Sequence, residues 1–191
     1  MTLCFATNNK NKIKEVALLL QNKVQIVSLA DIGCTEEIEE TGETFAENAF
    51  IKANYIYNKY HINCFADDSG LEVEALNGAP GVFSARYAGE HGNDAKNNEL
   101  LLENLKNIPN RKARFVCNIC LIQNGKPHHF EGEILGKINE TPIGNHGFGY
   151  DPIFVPNTYN QSFAELDLET KNKISHRSKA INLLVNYLNS H

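Results

Sequence analysis

Hydrophobic residues in this chain fall into short runs typical of buried strands and into stretches with the spacing of amphipathic helices. Residues 2–6 form an apolar run that predicts a buried strand, and residues 10–20 have apolar side chains at helical spacing. Residues 24–29 alternate as a strand does. Thr44 and Glu47 match a capping box, which predicts that another helix begins there. The chain is therefore expected to start with a strand, a polar turn and a helix.

The rest of the chain also mixes strands and helices. Residues 62–66 predict a second buried strand, which should end at the Asp-Asp-Ser-Gly sequence of residues 67–70. Helices are predicted around residues 94–107 and after Ser175. An Asn-Gly pair at residues 124–125 separates two alternating runs and indicates a hairpin. This mixture of elements predicts an α/β or α+β fold.

The composition is that of one ordinary folded unit, so we expect a single domain over residues 1–191, in one lobe or two. Hydrophobic residues make up 42% and charged residues 21% of the chain, which excludes an intrinsically disordered protein. The formal net charge of −5 argues against binding a nucleic-acid polymer, because summed Lys and Arg charge holds such polymers. A phosphate ligand would need a local group of cations.

Signals for membranes and for secretion are missing from the pattern. No apolar run approaches the roughly 18 residues of a membrane span, and the first residues resemble no secretion signal. We therefore expect a cytoplasmic protein without a membrane partner. The five cysteines are scattered and odd in number, which suits reduced, buried thiols rather than a disulfide framework.

A Cys-x-x-Cys pair invites a zinc site, but the local pattern argues against one. Cys117 and Cys120 lie an odd number of positions apart in a predicted strand, so their side chains should point to opposite faces. The adjacent His128 and His129 alternate in the same way. Zinc is therefore not predicted.

The polar turn after the first strand is a candidate phosphate site. Its residues are Thr7, Asn8, Asn9, Lys10, Asn11 and Lys12. Backbone N–H groups at the start of the following helix, together with the lysines, could face an anion. The residues alone favour the alternative, an ordinary helix cap by Thr7 or an Asn with solvated lysines.

Two acidic stretches are candidate metal or acid–base groups. Asp67 and Asp68 could hold Mg²⁺ or deprotonate water at the end of the predicted strand, but an ordinary turn is equally consistent with the residues. The acidic residues at positions 36–40 would be useful only if the fold brings them to the same place. Alone, such a run is usually a solvated face.

Aromatic and basic residues near the end of the chain are candidates for recognising a nucleobase. Residues 147–152 combine two aromatic rings that could stack on a base with an Asp that could read a polar edge. The alternative is a strained turn with buried rings. Lys171, Lys173, His176 and Arg177 surround the start of the last predicted helix and could meet an anion, although surface charge explains Lys173 equally simply.

Taken in order, these motifs resemble the inosine triphosphate pyrophosphatase family, specifically its bacterial dITP/XTP pyrophosphatase branch, over residues 3–188. The matching segments are Thr7 to Lys12, Glu40 to Ala49, Asp67 to Leu71, Gly78 to Gly81, Ser84 to Tyr87, Gly147 to Pro152 and Ser175 to Arg177.

The resemblance implies a fold and an activity. The fold would be a bilobed α/β structure with a long central mixed β-sheet flanked by helices and a nucleotide cleft between the lobes. The activity would be Mg²⁺-dependent hydrolysis of ITP, dITP and XTP to the monophosphate and pyrophosphate, which keeps deaminated purines out of DNA and RNA. The family also implies a homodimer.

The resemblance further implies roles for single residues. Thr7, Asn9 and Lys12, within the turn at residues 7–12, would hold the triphosphate together with Lys52. Glu40 and Asp68 would hold Mg²⁺, and Asp68 would accept a proton from the attacking water, with Ser69 contacting the substrate. The residues implied to recognise the base and flank the nucleotide are Phe148, Gly149, Tyr150, Asp151, Lys171, His176 and Arg177.

Two other functions remain as alternatives. A Maf-type nucleotide pyrophosphatase would prefer dTTP or UTP, and the Ser-His-Arg sequence at residues 175–177 disfavours it. A nucleotide-binding module without catalysis would bind ITP and release no pyrophosphate. Glu40, Asp68 and Lys12 argue against that alternative.

Overall fold

A computed structural model describes residues 2–20 and 24–190 of the chain. Its strands are β1 (Thr2–Phe5), β2 (Gln25–Val27), β3 (Cys64–Val73), β4 (Lys112–Gln123), β5 (Lys126–Ile138) and β6 (Phe154–Pro156). Its α-helices are α1 (Lys10–Leu19), α2 (Phe45–Tyr60), α3 (Asp94–Asn104), α4 (Leu168–Ile174) and α5 (His176–Ser190).

The described strands form one six-stranded mixed sheet in the order β2-β1-β3-β4-β5-β6. Strand β1 pairs in parallel with both β2 and β3, whereas β5 and β6 are antiparallel. Parallel strands need crossover connections, and helices α1 and α2 supply them. The architecture is therefore α/β with a central mixed sheet flanked by helices, as the resemblance implied.

Contacts within the chain divide it into two compact units. The first unit consists of Met1–Asp68, Cys117–Gly132 and Arg177–His191, and the second of Ser69–Val116 and Glu133–His176. Each unit has its own core. The nucleotide cleft between two lobes stays a prediction.

The core of the first unit consists of two hydrophobic clusters that use alternate positions of the same strands. Leu3 and Phe5 belong to one cluster with α1 and α5, whereas Cys4 and Ala6 belong to the other with α2. In β4, Cys117 lies in the first of these clusters and Cys120 in the second. The predicted separation of the two thiols is confirmed, because a strand alternates its side chains between two faces.

The core of the second unit is rich in aromatic rings. Phe154 packs with its ring centroid 4.7 Å from that of Phe115 and 5.2 Å from that of Phe163. Tyr150 and Leu101 are buried in the same cluster. This cluster connects α3 to the segment that precedes β6.

The predicted hairpin is present between β4 and β5. Asn124 and Gly125 have φ values of 51° and 78°, the left-handed conformation that both central residues of a type I′ turn require. Asn tolerates this conformation better than most residues, and Gly adopts it freely. The sequence therefore specified this turn through its two central residues.

One boundary differs from the prediction. Strand β3 does not end before the acidic residues but continues through them to Val73, so Asp67 and Asp68 lie inside a strand rather than in a turn. Both carboxylates are buried and have partners from other elements. Tertiary contacts thus satisfy side chains that the local sequence presents as turn residues.

Within the described ranges, no helix is both long and apolar enough to cross a bilayer.

Helix α2 begins with the predicted capping box. The Thr44 side chain accepts a hydrogen bond from the N–H of Glu47, and the Glu47 carboxylate accepts one from the N–H of Thr44. Thr44→Ala removes the first of these bonds and is expected to lower the free energy of unfolding by about 1 kcal/mol. Urea unfolding measures this change. Thr44→Ser keeps the acceptor and should stay close to the parent protein, so equal losses in both variants would contradict the prediction.

Candidate functional site

The turn before α1 is held by its own side chains. Asn9 is the N-cap of the helix, and its side chain accepts hydrogen bonds from the N–H groups of Asn11 and Lys12. Thr7 accepts one from the N–H of Asn9 at 3.2 Å. These N–H groups are therefore used within the turn rather than left for an anion. Asn8 and Lys10 are exposed.

Lys12 is not solvated, contrary to the simpler interpretation of the turn. Its ammonium lies 3.1 Å from the carboxylate of Asp67, and only 13% of its side chain is exposed. Asp67 also accepts a hydrogen bond from Nε of Arg177 at 3.1 Å, and the Arg177 guanidinium pairs with Glu15. The chain Lys12–Asp67–Arg177–Glu15 is thus a buried network of alternating charges in the first unit.

The network fixes the charge state of Asp67. Burial raises the pKa of this carboxyl, but the positive charges of Lys12 and Arg177 outweigh burial and hold the pKa well below its ordinary value. Asp67 is therefore an anion that orients Lys12, and it is poorly suited to accept a proton.

Asp68 points to the other face of β3 and has a different environment. It accepts a hydrogen bond from Asn48 of α2 at 3.1 Å, and its Oδ1 lies 4.0 Å from the ammonium of Lys52. Burial raises the pKa of Asp68, and the positive charges of Lys52 and Lys12 oppose this without cancelling it. Adjacent carboxylates in one strand thus have opposite pKa shifts, and Asp68 is the better proton acceptor.

Glu40 and Asp68 converge on the same ammonium. The Lys52 side chain donates to the Glu40 carboxylate and, at 2.8 Å, to the backbone carbonyl of Asp67. Burial lowers the pKa of Lys52, but Asp68 and Glu40 outweigh it and raise the pKa. Glu40, which the resemblance implied to hold Mg²⁺ with Asp68, thus lies beside the same ammonium as Asp68, whereas Glu36 pairs with Lys59.

These two carboxylates fit the way proteins bind Mg²⁺. The ion prefers oxygen ligands, keeps several waters and is usually held by one or two carboxylates plus substrate phosphates. Among the residues that the structure describes, no group of three or more Asp, Glu, His or Cys is placed to hold a metal ion. Glu40 and Asp68 could therefore hold Mg²⁺ together with the phosphates of a ligand.

The loop at residues 147–151 of the second unit is built around Asp151. The Asp151 carboxylate accepts hydrogen bonds from the N–H of Phe148 at 2.9 Å and from Lys171 at 2.7 Å. A Cβ at Gly147, whose φ is +77°, would lie 2.0 Å from the same carboxylate. Gly147 is therefore required here both by its backbone conformation and by the close approach of Asp151.

Lys171 also contacts aromatic rings of the second unit. Its ammonium lies 4.9 Å from the ring centroid of Phe148 and 5.6 Å from that of Phe163. The pair of Lys171 and Asp151 is buried, with 4% of each side chain exposed. Phe148 is partly exposed, so its ring is the aromatic group of this loop that a base could reach.

Two other predicted base-recognition residues, Tyr150 and His176, are buried. Tyr150 is 3% exposed and its hydroxyl donates to the carbonyl of Ser84, so the ring of Tyr150 is part of the core. The His176 ring stacks on Phe115 at 4.7 Å between centroids. Lys173 is exposed and pairs with Glu169, as the surface interpretation proposed. Arg86 lies over the ring of Phe83.

A cavity of about 760 Å³ lies in the second unit between α3 and the loop that contains Phe148. Its lining includes the carboxylate residues Asp94, Glu99, Glu103 and Glu140. This negative lining disfavours a triphosphate. Lys12 and Lys52, which the resemblance implied to hold the triphosphate, belong to the first unit.

The structure therefore brings Lys12, Lys52, Glu40 and Asp68 together in the first unit, and Phe148, Gly149, Asp151 and Lys171 together in the second. Ser69 is half-buried in β3. The sequence analysis predicted no role for two residues of the site. Glu15 pairs with Arg177, and Asn48 donates a hydrogen bond to Asp68. Glu15 and Asn48 each directly precede an apolar residue of the buried helix face, and Asn48 also lies in the segment Glu40 to Ala49 that matches the family.

Comparisons with known proteins agree over nearly the whole chain. A sequence model of the Ham1 family matches residues 3–187. The dITP/XTP pyrophosphatase of Flavobacterium psychrophilum is 54% identical over 98% of this chain and 98% of its own length. The protein of the same name from Porphyromonas gingivalis is 51% identical over 97% of this chain and 96% of its own length.

Solved structures show the same similarity. The Ham1 protein of Coxiella burnetii superposes with a TM-score of 0.93 at 39% identity and covers 100% of both chains. The Ham1 protein of Staphylococcus aureus has a TM-score of 0.91 at 40% identity and covers 100% of this chain and 99% of its own.

Proposed function

This chain belongs to the Ham1 family, and we propose that it hydrolyses the deaminated purine nucleotides ITP, dITP and XTP to the monophosphate and pyrophosphate. The observation that supports this most directly is the full-length similarity to dITP/XTP pyrophosphatases combined with Lys12, Lys52, Glu40 and Asp68 in one unit. The protein is an enzyme of nucleotide metabolism that removes deaminated purines from the pool used for DNA and RNA. Its proposed location is the cytoplasm, where that pool is used, and its proposed assembly is a homodimer.

Lys12 and Lys52 bind the triphosphate in this proposal. Each ammonium already faces a carboxylate, Lys12 at Asp67 and Lys52 at Glu40, so both cations are fixed before a substrate arrives. Phosphoryl transfer depends mainly on positioning and on neutralising charge, and fixed cations supply both. Thr7 and Asn9 shape the turn from which Lys12 extends.

Glu40 and Asp68 would hold Mg²⁺ together with the substrate phosphates. Mg²⁺ would neutralise negative charge on the leaving pyrophosphate. In this proposal Asp68 also accepts the proton of the attacking water, with its carboxylate placed beside Lys52 and Asn48. Asn48 keeps the Asp68 carboxylate oriented during this step.

In this proposal the ring of Phe148 stacks on the purine base. Asp151 and Lys171 fix the loop that contains Phe148, and they position the hydrogen-bonding group that faces the polar edge of the base. A donor aimed at O6 of hypoxanthine or xanthine would meet the amino group of adenine and lose its partner, which is costly in a buried site. Rejection of GTP would follow if the pocket wall crowds the 2-amino group of guanine. His176 and Arg177 are proposed to flank the nucleotide.

The direct test is pyrophosphate release from ITP, XTP, GTP, ATP, dTTP and UTP, with and without Mg²⁺. We expect kcat/KM for ITP and XTP to exceed that for ATP about a hundredfold or more, because a mismatched hydrogen-bonding group leaves a buried partner unsatisfied. Preference for dTTP or UTP would identify a Maf-type activity instead. Tight ITP binding without pyrophosphate release would indicate a nucleotide-binding protein without catalysis, and near-equal kcat/KM for GTP and ITP would reject the proposed crowding of the 2-amino group.

A further inference from the structure

The position of the Phe148 ring depends on a flexible piece of backbone. Gly147 and Gly149 flank Phe148 and have φ values of +77° and +62°. Glycine restricts its backbone less than any other residue, so the two glycines alone do not fix the ring. Asp151 holds the N-terminal side of the loop through the N–H of Phe148.

Helix α3 holds the other side of the loop through both polar backbone groups of Gly149. The carboxylate of Asp94 accepts a hydrogen bond from the Gly149 N–H at 2.7 Å, and the side-chain amide of Asn98 donates to the Gly149 carbonyl at 2.8 Å. These two bonds fix the peptide planes before and after Gly149. The Asn98 amide also donates to the backbone carbonyl of Asp94 at 2.8 Å, which fixes the orientation of the Asn98 side chain on the helix.

Close packing at Tyr150 contributes to the contact between α3 and the loop, but Gly149 itself lies beside open space. The space between α3 and the loop is the cavity of about 760 Å³, and Asp94, Asn98, Phe148 and Gly149 all line it. Buried side chains elsewhere in the second unit are fixed by close packing, whereas a cavity lining lacks those contacts. The hydrogen bonds from Asp94 and Asn98 are therefore the polar interactions that tie Gly149 to α3.

We propose that Asp94 and Asn98 are positioning residues that hold Gly149 from helix α3 and thereby set the ring of Phe148 for stacking on the purine base. This inference rests on the proposed function of Phe148. Asp94 at the start of α3 also has a simpler explanation, since a carboxylate favours the positive end of a helix. The positioning role and the helix-terminus role of Asp94 differ in which substitutions they predict to raise KM.

The first test compares Asn98→Asp with Asn97→Asp. Asn97 is the neighbouring buried Asn of α3, and its amide donates to the carbonyl of Ala85 in the segment before α3. Both variants lose an amide donor on the same helix, but only Asn98→Asp removes the donor to the Gly149 carbonyl. We expect about a tenfold rise in KM for ITP in Asn98→Asp with kcat within about twofold, and a KM within about twofold of the parent in Asn97→Asp. Equal KM values in the two variants would overturn the proposal.

The second test separates hydrogen bonding from charge at position 94. Asp94→Asn keeps an acceptor for the Gly149 N–H and should retain the parent KM, whereas Asp94→Ala should raise KM about five- to tenfold. Equal losses in Asn and Ala variants would assign Asp94 to the helix terminus and overturn its positioning role.

Hydrogen exchange of the Gly149 amide distinguishes failure of this inference from failure of the proposed function. Exchange should accelerate about tenfold in Asn98→Asp and in Asp94→Ala, whatever the substrate is. If the parent protein does not hydrolyse ITP, the proposed function fails while this exchange result still decides whether α3 holds the loop. Unchanged exchange in both variants would overturn the inference even in an active enzyme.

Discussion

Replacing Asp68 by Asn is expected to lower kcat for ITP about a thousandfold, the middle of the range for removing a general base. Asn cannot accept the proton of water, and it also removes one of the two carboxylates proposed to hold Mg²⁺. The shape of the side chain and its acceptor for Asn48 are kept. Pyrophosphate release at saturating ITP and Mg²⁺ measures the effect.

This loss of activity should occur without loss of stability. The pKa of the Asp68 carboxyl is raised in the folded state, so its protonated form stabilises the folded protein at low pH. This stabilisation is lost as the pH rises from the pKa that the same carboxyl has in the unfolded chain through its raised pKa in the folded state, because the buried group must then ionise. At neutral pH the Asn variant avoids the cost of a buried anion, so its melting temperature should be unchanged or higher. Asp31→Asn, which removes the same charge from an exposed Asp, is the control and should remain fully active. More than about a tenth of the parent kcat in Asp68→Asn would contradict the role of Asp68.

Replacing Arg177 by Met is expected to lower the free energy of unfolding by about 3–5 kcal/mol, the cost of breaking a buried ion pair by removing one partner. Arg177 is 2% exposed and lies between Asp67 and Glu15. Without the guanidinium, two buried carboxylates would lose the cation that they share. Urea unfolding at pH 7 measures the change.

A double-mutant cycle tests the physical reason for this loss. Adding Glu15→Gln to Arg177→Met removes one of the stranded anions, so the double variant should be less destabilised than the sum of the single variants by about 1 kcal/mol or more. Arg114→Met is the matched control, because Arg114 also binds two carboxylates, Glu72 and Glu133, but is 43% exposed. Its loss should stay near 1 kcal/mol or below. Equal losses for Arg177→Met and Arg114→Met would contradict the role of burial.

Much of the local structure was predictable because single residues specify it. The capping box at Thr44 and the Asn-Gly turn at residues 124–125 each satisfy a backbone requirement with their own side chains or conformation. The separation of Cys117 and Cys120 followed from strand alternation alone. Such features depend on neighbours in the sequence and need no knowledge of the fold.

The roles of the charged residues were less predictable. The sequence placed Asp67 and Asp68 together in a turn, whereas the structure places them in one strand with different partners and opposite pKa shifts. Arg177 was expected to contact the base, and the structure adds that it neutralises buried carboxylates of the first unit. Its contact with a base stays a prediction. The partners of these residues lie as many as 162 positions apart, so no local pattern could identify them.

Most strands and helices, the capping box at Thr44, the Asn-Gly turn and the family follow from the sequence, because they depend on periodicity, backbone conformation and ordered motifs. The fold sets which carboxylate is neutralised by cations and which has a raised pKa. It also placed Tyr150 in the core and gave Gly149 two partners on α3. The physical reason is that burial and charge at one side chain are set by residues that the fold brings close from distant parts of the chain.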